Sequence, residues 1–134
     1  MSENIKFNMA GIYVEQFSTF TAEIVNGIHY KVDSANKLVG CFMEFSFSQN
    51  KQPIIHLKVS CAFGIENKSW KEFAKEKGKI IIPEMFLEHM AAVTTGTSRG
   101  ILFAKTEKTP FNNFLLPPLN VKELVQSDGV FEIE

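Results

Sequence analysis

CFMEFSFS at residues 41–48 and IIHLKVSCAF at 54–63 share one pattern, and that pattern decides the fold. In the first run Cys41, Met43, Phe45 and Phe47 take one phase of a period of two, and Glu44, Ser46 and Ser48 take the other. In the second, Ile55, Leu57, Val59, Cys61 and Phe63 share a phase opposite His56, Lys58 and Ser60. Each run is a strand with one buried and one wetter face. The polar SQNKQP between them, ending in Pro53, suits a loop joining antiparallel neighbours, so the pair reads as a hairpin.

Outward from this hairpin, IKFNMAGIYV alternates with Ile5, Phe7 and Met9 on one phase. It then shifts so that Ile12 and Val14 join the apolar set, and a bulge near Gly11 accounts for the shift. TAEIVNGIHYKV sets Asn26 and Gly27 between two alternating runs. That pair favours positive φ at both centres of a type I′ turn, so a second hairpin is expected there.

Helix begins late. KSWKEFAKEK (68–77) carries Trp70, Phe73 and Ala74 at helical spacing before Gly78. From Pro83 onward, Phe86, Met90, Val93, Thr97, Ile101 and Ala104 form one stripe, widened by Leu87, Ala91 and Leu102. Pro83 suits a first helical turn, and Glu84 suits the positive end of the dipole. Gly96 and Gly100 each cost about 1 kcal/mol relative to Ala in a helix interior, which leaves a long helix with a weak centre or a break there. Pro110, Asn112, Asn113, Pro117 and Pro118 punctuate an irregular apolar stretch holding Leu115 and Leu116. Asn120 and Glu123 resemble a capping box opening a short helix, VKELVQ, and SDGVFEIE is a loose tail or an edge strand. The expected organisation is a single α+β domain over 1–134, mainly strands over 1–66, helices and a proline-rich loop over 67–126, and a tail over 127–134.

At 134 residues the length allows one ordinary domain, and 45% apolar with 22% charged residues excludes wholesale disorder. A net charge of −1 supplies no field that would draw the chain onto nucleic acid or anionic lipid. No apolar run is long enough to insert in a membrane, and MSENIKFNMAG lacks the basic-then-apolar form of a leader, so a cytoplasmic protein is expected. Cys41 and Cys61 lack CxxC spacing and read as reduced, buried thiols.

No residue pattern announces catalysis or a cofactor. His29, His56 and His89 show no HxH, HxxxH or HExxH spacing, so no metal site is expected. TTGTSRG lacks the lysine of a phosphate loop, and Glu84 with Glu88 at i, i+4 reads as solvated helix surface. The unusual feature is phenylalanine, 13 residues against one Trp and two Tyr. Phe7, Phe45, Phe47 and Phe63 fall on inward phases. Phe17 and Phe20 stand past the phase shift in a Ser/Thr-rich context, and Phe42 lies on the wetter face beside Glu44 and Ser46. A sheet with rings on its second face needs a cover, whether a subunit, a helix or a ligand.

Two separated stretches resemble the SecB family of export chaperones. IKFNMAGIYVEQFSTF is similar to the family's first strand, in which an apolar residue and a tyrosine, here Ile12 and Tyr13, precede a polar step and then an aromatic. LLPPLNVKELV resembles its ending, with Pro118, Asn120 and Leu124 in place of the proline, asparagine and final short helix. In layout the resemblance spans roughly residues 5 to 125. It implies an α+β protomer with an antiparallel sheet and a long helix. It further implies assembly as a dimer or a dimer of dimers that holds non-native polypeptides in exposed apolar grooves without ATP. Tyr13, Phe17, Phe20 and Phe42 are the expected client contacts.

Three departures qualify what is carried over. KSWKEFAKEKGK reads as a short helix where the family has its fourth strand. Gln16 and Phe20 stand nearest the acidic positions through which the family meets the translocase motor, although Glu15 and Glu23 are close. The resemblance therefore implies client holding, for export or for a dedicated client such as an antitoxin, rather than delivery to that motor. The third departure is the helix through TTGTSRGILFAKTE, which runs longer than the family's. Two other readings stay open: an oligomeric adaptor for one folded partner, and an enzyme or ligand-binding protein marked by a closed polar pocket around His29 or His56.

Overall fold

A computed structural model describes residues 7–18, 23–49, 51–109 and 121–132, and places side chains over 24–48, 51–109 and 122–132. The chain is α+β. Four antiparallel strands, β1 (Phe7–Ser18), β2 (Glu23–Asp33), β3 (Leu38–Gln49) and β4 (Gln52–Ile65), form a sheet in the order β1-β4-β3-β2. Then come α1 (Asn67–Phe73), β5 (Lys79–Ile82), the 23-residue α2 (Glu84–Thr106), α3 (Val121–Leu124) and β6 (Gly129–Glu132).

The central hairpin forms as its alternation requires. Cys41 pairs with Cys61, Met43 with Val59 and Phe45 with Leu57, and all six are at most 2% exposed. This face is the core, and α2 packs across β3 and β4. Each fully buried Phe, Leu, Ile or Val there contributes about 1.5–3 kcal/mol relative to exposure. The strands run further into SQNKQP than its polarity suggests, with Ser48 opposite Pro53 and Gln49 opposite Gln52.

β1 lies along the other side of β4 with register shifts at Met9/Gly11 and Val14/Gln16. The first shift is the bulge expected near Gly11. The turn expected at Asn26–Gly27 does not form: β2 runs straight through, with Asn26 opposite Phe45 and Gly27 opposite Glu44. The reason is phase. Ile24, Ile28, Tyr30 and Val32 all belong to one side of a period of two, so an unbroken strand keeps every one of them against β3. The chain reverses instead at 34–37, where Asp33 accepts from Asn36 N (3.2 Å) and Asn36 Nδ2 (2.8 Å) and Lys37 takes φ 53°.

Residues 67–73 are helical, as Trp70 and Phe73 suggest; both are buried, and the Phe73 ring lies 5.6 Å from that of Phe86. α2 is continuous through Gly96 and Gly100, where an added Cβ would meet nothing within 4 Å. Its buried side departs from the apolar stripe. Phe86, Leu87, Met90, Ala91 and Leu102 are buried as expected, but Ala104 is exposed and Val93, Thr97 and Ile101 are half-buried. Thr94, Thr95, Ser98 and Thr106 take the inner positions. Their hydroxyls donate to the carbonyls four residues back at 2.7–2.8 Å, so these small side chains enter the core without orphaned polar atoms.

The C-terminal segment is an edge strand: β6 pairs with β5, Ile80 opposite Phe131 and Ile82 opposite Gly129. KIII is a strand that the alternation reading missed, and Ile80 and Ile82 are fully buried. Asp128, just before β6, accepts from Glu84 N at 2.8 Å and so caps α2, which has no side-chain cap from Pro83. The stretch 110–120, including Leu115, Leu116 and Asn120, lies outside the described residues.

Candidate functional site

The outer face of the sheet carries the residues that the core phase leaves over. Because directly opposed residues share a face, register assembles them into rows. One row reads His29, Phe42, Ser60, Tyr13 across β2, β3, β4 and β1. A second reads Gly27, Glu44, Lys58, Gln16, and a third reads Lys31, Gly40, Ala62, Gly11.

Phe42 is the centre. A Cβ on Gly40 would stand 2.8 Å from the Cε1 edge of its ring, so the ring overhangs the glycine. His29 stacks on it with centroids 4.9 Å apart and planes 7° from parallel, and Lys31 Nζ stands 5.1 Å from its centroid. Gly27, His29, Lys31, Phe42, Glu44 and Lys58 line an open cleft of about 380 Å³ here.

Beside it, His56 Nε2 meets Glu44 Oε2 at 2.9 Å, and its Nδ1 lies 3.0 Å from Ser46 Oγ. Lys58 Nζ is 3.7 Å from the same carboxylate oxygen. A hydroxyl, an imidazole and a carboxylate in line have the composition of a nucleophile relay. β3 and β4 are interior strands whose N–H groups serve the ladders on both sides, so their backbone offers this group no spare donor. The group is a polar bridge between neighbouring strands on an open face, and the cleft beside His29 is open rather than closed.

A second cleft, of about 270 Å³, lies on the other side of β2. Ile28, Tyr30, Leu87, Val125, Gly129 and Phe131 are among its walls. Tyr30 Oη donates to the Leu87 carbonyl at 2.8 Å, tying β2 to α2. Burial, and then the neighbouring Cys41, raise the Tyr30 phenol above its ordinary range. Burial likewise pushes the Cys41 thiol up to about 11, despite hydrogen bonds with Thr94 and Tyr30 that act the other way.

Of the expected client contacts, Phe42 lies on the outer face, and Tyr13 sits at the register position of Ser60, the residue opposite Phe42 on β4. Phe17 sits at the register position of Leu57, which belongs to the core phase, and Phe20 lies outside the described residues. Sequence reasoning named His29 only as the centre of a possible closed polar pocket, and it missed Lys31 and Gly40. A glycine two residues before an aromatic on the same phase was the available signal for the last.

Among the described residues no helix is long and apolar enough to cross a membrane, and no group of three or more His, Cys, Asp or Glu gathers as metal ligands. No protein-family model matches the chain, and no curated protein matches it. Solved structures do match in layout. One is the SecB-like chaperone Rv1957 of Mycobacterium tuberculosis in complex with a ChAD peptide from the Rv1956 HigA1 antitoxin, at 12% identity, 85% coverage of this chain, 91% of that chain and a TM-score of 0.49.

Proposed function

We propose that this protein is an ATP-independent polypeptide-binding chaperone that holds non-native chains against the outer face of its sheet. The observation that carries the reading is the contrast across one sheet: the core face is sealed by α2, while the opposite face presents the Phe42–His29 stack in an open cleft. Stacked rings flanked by a lysine stem and small residues offer sequence-tolerant contacts, which suit a holder of many segments. Tyr13 extends the same row by register, and the resemblance of the first strand and of the C-terminal stretch to SecB points the same way. The proposal includes self-association as a homo-oligomer. It places the client as a dedicated polypeptide, such as an antitoxin, or an exported chain held without handing over to the translocase motor.

The test is suppression of aggregation of a chemically denatured protein, titrated with the chain while light scattering reports its mass. Suppression near stoichiometric ratio is expected. Phe42→Ser is expected to raise the amount of protein needed several-fold while leaving the melting temperature within a few degrees. A well-folded oligomer that suppresses nothing would overturn the holding role in favour of an adaptor for one folded partner.

A further inference from the structure

We infer that Cys41 and Cys61 form a cross-strand disulfide site, at which a low-molecular-weight disulfide oxidises the pair to an internal bond that pins β3 to β4. The inference is independent of what the outer face binds.

Register carries it. Cys41 and Cys61 are direct partners on the two interior strands of the sheet, and both belong to the buried phase. Directly opposed residues of antiparallel strands have Cα atoms about 4.5–5.5 Å apart, inside the roughly 4.4–6.8 Å that a disulfide spans. Neighbouring strands hold that spacing, β2 along the other edge of β3 and β1 along the other edge of β4. Cys61 is close enough to add to the upward push on the Cys41 thiol. The chain has two cysteines in all, so internal oxidation has a single product.

The surroundings accept the bond. Oxidation removes two buried S–H groups, and the hydroxyls beside Cys41 keep partners of their own. Thr94 Oγ1 donates to the Met90 carbonyl and Tyr30 Oη to the Leu87 carbonyl, each at 2.8 Å. Ile12 holds the register position beside Cys61 on β1, and a disulfide is neutral at every pH, so no charge is stranded in the core.

With the sheet closed neither sulfur is exposed, and burial keeps Cys41 protonated, so the site is silent. When β3 and β4 part locally, one cysteine loses its proton to water and its thiolate attacks the small disulfide RSSR. A mixed disulfide forms, and RS⁻ leaves and takes up a proton. The second cysteine, deprotonated in the same way, attacks the protein-side sulfur of that mixed disulfide and expels another RS⁻, which is protonated in turn. Two cysteine thiols are oxidised, and one RSSR is reduced to two RSH. Because the re-pairing strands bring the second sulfur opposite the first, this step is intramolecular and outruns accumulation of the adduct. The product closes residues 42–60 into a loop that includes the turn between β3 and β4. The fold thereby carries a redox-controlled limit on how far its central hairpin opens.

The test incubates the full, reduced chain with oxidised glutathione, in buffer and in urea below the unfolding transition. The chain is then denatured in N-ethylmaleimide and read by intact mass and peptide mapping. The expected product in urea has lost two hydrogens, takes up no maleimide, yields a Cys41–Cys61 cross-linked peptide and exceeds the glutathione adduct about a hundredfold. Its thermal midpoint is expected to lie about 10 °C above that of the reduced chain and to return on addition of dithiothreitol. Cys41→Ser and Cys61→Ser are each expected to stop at a single glutathione adduct. Where a serine variant does not fold, the wild-type mass decides alone, because ring closure and adduct differ in mass.

A stable adduct on the wild-type chain, or disulfides between chains, would overturn the inference. So would a cross-linked chain that melts below the reduced one, since the native register would then not fit the bond. Absence of any oxidation short of global unfolding would overturn it as well.

Discussion

Phe45 and Phe42 stand three residues apart on β3 and face opposite ways. Phe45 is fully buried opposite Leu57, while the edge of Phe42 overhangs Gly40, with His29 stacked on its ring and Lys31 Nζ 5.1 Å from its centroid. The same residue type serves packing on one face and display on the other. What separates the two roles is phase within the strand and what the neighbouring strands bring to the row. Phe45's row joins Leu57 on β4 to Asn26 at the β2 edge, and the outer row mixes ring, imidazole and hydroxyl. The binding chemistry proposed above falls on the face whose loss threatens the fold least.

Truncating each ring tests that separation most directly. Phe45→Ala is expected to cost about 3–5 kcal/mol in urea unfolding, with cavity and transfer losses adding, whereas Phe42→Ala is expected to cost about 1 kcal/mol. Similar costs for the two would erase the distinction between the faces.

Alkaline titration probes the sealed side through its buried thiol and phenol. Cys41 holds its proton to about pH 11 in the fold against an ordinary value of 9.0, so its contribution is fully present below pH 9 and is lost as the pH rises toward 11. The loss is on the order of 2–3 kcal/mol, and the raised Tyr30 phenol adds to it in the same direction above pH 10. Stability measured from pH 8 to 11 is expected to fall, and Cys41→Ala to flatten the stretch between pH 9 and 10.

The smallest effect belongs to the open face. Glu44→Gln removes a half-exposed ion pair with His56 and Lys58 and is expected to change stability by about 0.5 kcal/mol or less. A change above about 2 kcal/mol in urea unfolding would mean that the outer face is structural after all.

The inner face was legible wherever alternation ran long enough, as in β3, β4 and the Gly11 bulge. It failed where a local preference competed with phase. Asn26–Gly27 has strong turn chemistry, yet eleven consecutive pairings with β3 outweigh it. The second half of α2 was read from apolar residues, whereas self-satisfied Thr94, Thr95 and Ser98 let the helix turn a polar-looking side inward. KIII gave four residues, too few to show a period, and its partner β6 lies about fifty residues on.

On the outer face, Phe42 was legible from its own strand. His29 and Lys31 were not, because their contact with the ring depends on the β2–β3 register, and that register follows from the strand that had been read as a turn.

Cys41 and Cys61 are directly opposed on the two central strands, and neither is exposed at all. Their positions make the pair an internal stopwatch. A thiol reagent meets sulfur when β3 and β4 part or α2 lifts from them, so the labelling rate counts openings of the central hairpin and its helix. Fraying of the outer strands does not by itself advance that count. Comparing labelling with and without bound polypeptide would time how far occupation of the open face is felt through the thickness of the sheet.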